Sequence, residues 1–160
     1  MRLSTALLPL SLLSLAACGG NSSAADVAIA ELVQPGKFEA AVSAAESQMA
    51  TNEKGTEAHK DLVLNYATAL AESDSEKARN EFLGFATEHT DLVTPKDFKF
   101  VVSQLRTHDQ YLHAIDVMDA GKKRWPNDAE MDKTVEALKQ DIAASGNSAA
   151  AAKMAGLGYM

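Results

Sequence analysis

From residue 26 onward, apolar positions along this chain recur at helical spacing. The clearest stretch is Thr94 to Pro126, where Phe98, Val101, Val102 and Leu105 fall at i, i+3, i+4 and i+7. After a polar break, Tyr111, Ala114, Ile115, Met118 and Gly121 form a second apolar series. Two amphipathic helices back to back cannot bury their apolar faces alone, so this pair needs neighbours to stack on.

The rest of the pattern supplies such neighbours. Val27, Ala30, Leu32 and Val33 predict a short first helix that ends at Gln34-Pro35-Gly36, where Pro and Gly break it. Phe38, Ala41, Val42, Ala45 and Met49 predict a second. A third starts near Thr56, buries Leu62, Val63, Tyr66, Ala67 and Leu70, and stops at Glu72-Ser73-Asp74. Ser73 with Glu76 reads as a capping box that opens a fourth helix, from about Asp74 to Glu88, presenting Ala78, Phe82, Phe85 and Ala86. Thr94, Pro95 and Asp97 open the fifth with an N-cap, a proline preset for the first turn and a carboxylate at the positive helix end. The sixth runs from Asp109 to about Arg124, before Trp125-Pro126. Asn127 with Glu130 starts a seventh that carries Met131, Val135, Leu138 and Ile142. Its other faces are polar, as suits the end of a stack. Residues 146–160 read as a low-complexity tail, mobile up to Lys153. Its last four residues, Leu157 to Met160, can either fold back as a lid on the seventh helix or stay free as a partner motif.

Composition agrees with an all-α fold. Hydrophobic residues make up 46% of the 160 but aromatics only 6%, so the core must be built from Ala, Leu, Val and Met, which are mostly good helix formers. Helix pairs about 34 residues long call for a test of internal repetition. In the stretch from Thr94, Phe98, Val101, Val102 and Leu105, then Ala114, Met118, Gly121 and Pro126, follow the tetratricopeptide spacing of large, aliphatic, small and large, then alanine, large, small and proline. The preceding pair fits with a turn one residue shorter: Val63, Tyr66, Ala67 and Leu70, then Ala78, Phe82 and Phe85, with Thr90 in place of proline. The chain therefore resembles the tetratricopeptide-repeat family over Asp26 to Ser145. It departs from the consensus at Phe98 for tryptophan, Val102 for a small residue and Leu105 for tyrosine. The resemblance implies antiparallel helix pairs stacked as a short right-handed solenoid of about three repeats, plus a C-terminal capping helix. A non-repeating helical bundle would give the same elements but close on itself.

The N-terminus adds an address. Residues 1–17 have a cationic start at Arg2, an apolar run too short to span a bilayer, and small residues at their end, which reads as a signal peptide. The single cysteine follows, in Leu15-Ala16-Ala17-Cys18-Gly19, and rules out an intramolecular disulfide. This segment resembles the lipobox of bacterial lipoproteins, which implies cleavage before Cys18 and its diacylation, with residues 18–25 as a flexible linker. Gly19, rather than Asp, after the cysteine implies release to the outer membrane, facing the periplasm. The formal charge is −7, from 15 basic and 22 acidic residues; without Arg2 the balance is 14 to 22, or −8. An acidic surface disfavours nucleic acid and anionic lipid.

Candidate chemistry is sparse. His59, His89, His108 and His113 lack the spacing that places two ligands on one helical face, and each reads as a solvated or first-turn histidine rather than a metal ligand. There is no phosphate-binding glycine loop and no serine in a nucleophile elbow, so neither a catalytic residue nor a cofactor is expected. By resemblance to the repeat family, the first helices of the pairs line a concave groove that presents Asn65, Lys96, Lys99, Phe100, Ser103 and Arg106. Lys96, Lys99, Ser103 and Arg106 share one helical stripe, a local inversion of charge suited to an acidic or C-terminal carboxylate peptide. The expectation is a noncatalytic scaffold, anchored to the membrane through the lipid on Cys18, that holds a protein or peptide partner in an envelope complex. An envelope hydrolase or enzyme subunit, and a structural spacer without a ligand, are the alternatives. Replacing Cys18 by Ser should move the protein from the detergent phase to the aqueous phase on phase partitioning; unchanged partitioning would remove the lipoprotein assignment.

Overall fold

The structure, a computed structural model, describes residues 37–160. The leader, Cys18 and the helix expected over 26–34 lie outside the described residues. Within them the chain is all helical, with seven helices and no strand: α1 Phe38–Met49, α2 Glu57–Ser73, α3 Ser75–Glu88, α4 Pro95–Thr107, α5 Tyr111–Arg124, α6 Ala129–Ser145 and α7 Ser148–Gly156.

Side-chain acceptors at the helix starts decide most of these boundaries. Thr56 Oγ1 accepts the His59 N–H at 3.1 Å and opens α2. At α4, the Thr94 N–H and hydroxyl both donate to Asp97 Oδ2 at 2.8 Å, and Pro95 fills the first helical position, as the sequence predicts. Three boundaries differ from expectation. Ser73 is the last residue of α2, and the cap of α3 is Asp74, whose carboxylate accepts the Lys77 N–H at 3.0 Å. A carboxylate accepts more strongly than a hydroxyl, so the junction closes in a single non-helical residue. At α6 the cap is Asp128, not Asn127: its Oδ1 accepts from the Glu130 and Met131 N–H groups. Asp109 precedes α5 rather than beginning it: its φ of 57° is left-handed, and its carboxylate accepts the Tyr111 hydroxyl at 2.7 Å.

The largest departure is the tail. Gly146, at φ 67°, ends α6 in a left-handed C-cap, and Asn147 Oδ1 then accepts the Ala150 N–H to start a new helix. The alanine run that reads as low complexity has high helix propensity, and Ala150 and Met154, one turn apart, are fully buried. Beyond α7 the chain folds back, and Tyr159 donates its hydroxyl to Asp119 on α5 at 3.0 Å. The folded part thus continues past residue 145, and α6 is not the last helix.

Consecutive helices pair except α3 with α4: α1 packs with α2, α2 with α3, α4 with α5, α5 with α6, and α6 with α7. Helices two apart pack as well, α2 on α4 and α4 on α6 in one row, α3 on α5 and α5 on α7 in the other. A single apolar core of Ala, Leu, Val, Ile, Met and a few aromatics runs from Ala45 through to Met154. Met154→Ala should destabilise the protein by about 2–5 kcal/mol in urea unfolding, the usual range for truncating a buried methionine. A mobile tail would make that substitution neutral.

Candidate partner-binding face

The α2–α4–α6 row carries every described residue proposed for the groove. On α4, Phe98, Val101, Val102 and Leu105 point into the core. The side toward α6 carries Lys99 and Arg106. Lys99 Nζ lies 2.6 Å from Glu130 Oε2, and Arg106 bonds Asp141 Oδ2 through Nε at 2.7 Å and Nη2 at 2.6 Å. Toward the other side, the His108 ring lies edge-on to Phe38 of α1 with centroids 5.9 Å apart. Lys99 stays exposed although paired; the exposed positions of α4 outside these ion pairs form a narrower stripe: Lys96, Phe100, Ser103 and Thr107. Asn65 is half-buried on α2, in the same row.

This divides the basic stripe expected from the sequence. Lys99 and Arg106 do not present unpaired charge; they tie α4 to α6. Lys96 is exposed and makes no ion pair among the described residues, and Phe100, 39% exposed, is an uncovered aromatic ring beside it. Glu130 is gripped twice, since Lys133 Nζ also bonds it at 2.8 Å. Lys133 first and Lys99 second hold its carboxyl down to about 2.

The other row is stitched in the same way. Glu46 of α1 meets Lys77 of α3 at 2.8 Å and accepts the Tyr66 hydroxyl at 2.7 Å. Asp116 of α5 receives Arg79 of α3 at 3.0 Å and Lys153 of α7 at 2.6 Å. Many of the protein's cations are therefore spent between helices two apart. A sequence signal for this exists, because the partners lie at similar separations: 31 residues for Lys99 with Glu130 and Lys77 with Glu46, 35 for Arg106 with Asp141 and 37 for Arg79 with Asp116.

No family model, curated protein or solved structure matches this chain.

Two of the histidines, His59 on α2 and His113 on α5, lie in the first turn of a helix, and His59 is 6% exposed. His113 is half-buried on α5, and its Nδ1 has no hydrogen-bond partner among the described residues. Burial first, and Arg79 second, push its pKa below the usual 6.5. Among the described residues, no group of His, Cys, Asp or Glu is arranged to hold a metal ion, and no helix is long and apolar enough to cross a membrane.

The α4–α6 ties can be weighed. Arg106 and Asp141 are 23% and 36% exposed at their side chains, so the pair is partly screened, and a double-mutant cycle of Arg106→Ala with Asp141→Ala should give a coupling of about 1 kcal/mol. Because the Glu130 pKa is depressed in the folded state, its contribution is present above 4.5 and lost as pH falls toward 2. Lys99→Ala should raise the Glu130 pKa in a carboxyl NMR titration. An unmoved titration, or a coupling of zero, would mean that these side chains do not bridge α4 and α6.

Proposed function

We propose that this chain is a noncatalytic, lipid-anchored protein-binding scaffold of the bacterial cell envelope, held through Cys18 at the outer membrane and facing the periplasm. In this reading the helices form a short, right-handed tetratricopeptide-like stack: α1 is the second helix of a pair whose first is expected over 26–34, and α2 with α3, α4 with α5 and α6 with α7 follow. The observation that carries it is the alternation of next-but-one contacts in two rows, with the signature positions at the junctions. Phe98 takes the large position and Gly121 the small one: a Cβ on Gly121 would fall 2.9 Å from the Phe98 ring and 2.6 Å from Met131 Cε. Close approach of α4, α5 and α6 depends on that missing side chain.

Binding belongs to the exposed stripe of the α2–α4–α6 row. A half-exposed aromatic beside an uncompensated lysine suits a peptide segment that offers one apolar side chain and a carboxylate. The leader and Cys18 support the anchored location, since several acyl chains at about 0.8 kcal/mol per buried methylene give stable membrane attachment where one does not. The immobilised protein should capture one partner saturably from detergent-solubilised envelope. Lys96→Glu combined with Phe100→Ser should weaken that capture at least about tenfold, the loss of roughly 1.4 kcal/mol, without shifting the unfolding midpoint. Undiminished capture would move the site off this face, and the absence of any saturable partner would favour the spacer.

A further inference from the structure

The loop between α1 and α2 is held to the first turn of α2 by one histidine, His59, and packs against a second, His89, at the end of α3. Gly55, at φ +74°, donates its N–H to His59 Nδ1 at 3.3 Å. Only an unprotonated Nδ1 can accept, so this bond assigns His59 its neutral form with the proton on Nε2. The His59 ring stands edge-on to Phe85 at 5.2 Å between centroids, and His89, which caps α3, lies 4.8 Å from Phe85 and 6.1 Å from His59. A Cβ on Gly55 would come within 3.0 Å of the His89 ring, so the loop backbone rests against that imidazole. Beside this knot is a cleft of about 490 Å³, lined by Met49, Lys54, His59, Asn80, Phe85 and Glu88 among others.

We propose that protonation of His59 releases the Gly55 amide from α2 and loosens the loop of residues 50–56 beside this cleft, making the α1 end of the protein an acid-sensitive gate. A proton on Nδ1 sets donor against donor at Gly55 in a site largely closed to water. The neighbouring charges reinforce this. Lys54 from the loop and His89 from the end of α3 oppose a cation at His59, while Glu88 in the last turn of α3 favours one. Glu81 lines the cleft, α1 contributes the uncharged Met49 and Ala50, and on α2 itself Glu57 and Lys60 pair with each other at 2.5 Å. Burial, then His89 and Lys54, hold the His59 pKa below 6.5. A basic group depressed in the folded state leaves the closed form fully favoured above 6.5, and that preference drains away as pH falls from there toward the lower folded value.

The opening is local. α1 stays attached through Glu46, whose bonds to Lys77 and Tyr66 persist in this pH range because Lys77 holds the Glu46 carboxyl below its ordinary 4.5.

The test is hydrogen exchange at the Gly55 amide in the full chain, followed from about pH 7.5 to about pH 5 beside the ring titrations of His59 and His89 by NMR. Protection, corrected for intrinsic exchange, should fall severalfold with a midpoint that tracks His59. In His59→Asn, whose side-chain oxygen takes the place of Nδ1 and does not titrate, protection should stay flat. Protection that is insensitive to pH, that tracks His89, or that falls equally in His59→Asn would overturn the gate. If His59→Asn does not fold, the wild-type comparison of Gly55 with the two ring titrations decides alone.

Discussion

The fold depends on one apolar junction, built around Phe98. Its ring is 2% exposed and meets Phe82 of α3 edge-on at 4.8 Å and Trp125 after α5 at 5.3 Å. Gly121 of α5 lies against it, and Met131 of α6 reaches the same point. One side chain from α4 thus touches or faces three other elements. Truncating a buried phenylalanine costs about 3–5 kcal/mol, whereas a partly exposed ion pair contributes about 1 kcal/mol or less. Set against a typical total stability of about 5–15 kcal/mol, the junction outweighs any single charged tie between the rows. The ion pairs act on top of it, choosing which faces of neighbouring helices meet.

That division of labour explains what the face can offer. Lys99, Arg106, Lys77, Arg79 and Lys153 all have carboxylate partners on helices two apart. An acidic protein has few cations, and here many join helices two apart. The exposed stripe on α4 therefore owes its character less to charge than to Phe100, with Lys96 as its unpaired cation. Recognition by such a stripe would read shape and one apolar anchor first and a carboxylate second.

Much of the fold was legible in the sequence because local and global signals agreed. Phe98, Val101, Val102 and Leu105 share a face by periodicity alone, and Thr94, Pro95 and Asp97 mark the start of α4 without any tertiary information. The caps at Asp74 and Asp128 were missed by one residue, since several polar residues crowd each junction and only hydrogen-bond geometry selects among them. The tail was misread for a different reason. Its alanines carry no amphipathic contrast, so the burial of Ala150 and Met154 left no periodic trace, although Gly146 and Asn147 did spell a C-cap followed by an N-cap. At the candidate site, the exposed positions of α4 were legible, but the fate of Lys99 and Arg106 was not. Their neutralisation is set by α6, two helices on, and a single helix pattern does not contain it.

In the proposed stack the helices form two open rows whose ends stay apart, rather than a closed bundle. Side-chain nuclear Overhauser effects measured on the folded protein test it most directly. Open rows should give cross-peaks from the Phe98 ring to Phe82 and Trp125, and none between Tyr66 on α2 and Met154 on α7. Cross-peaks joining α2 to α7 would close the bundle and contradict it.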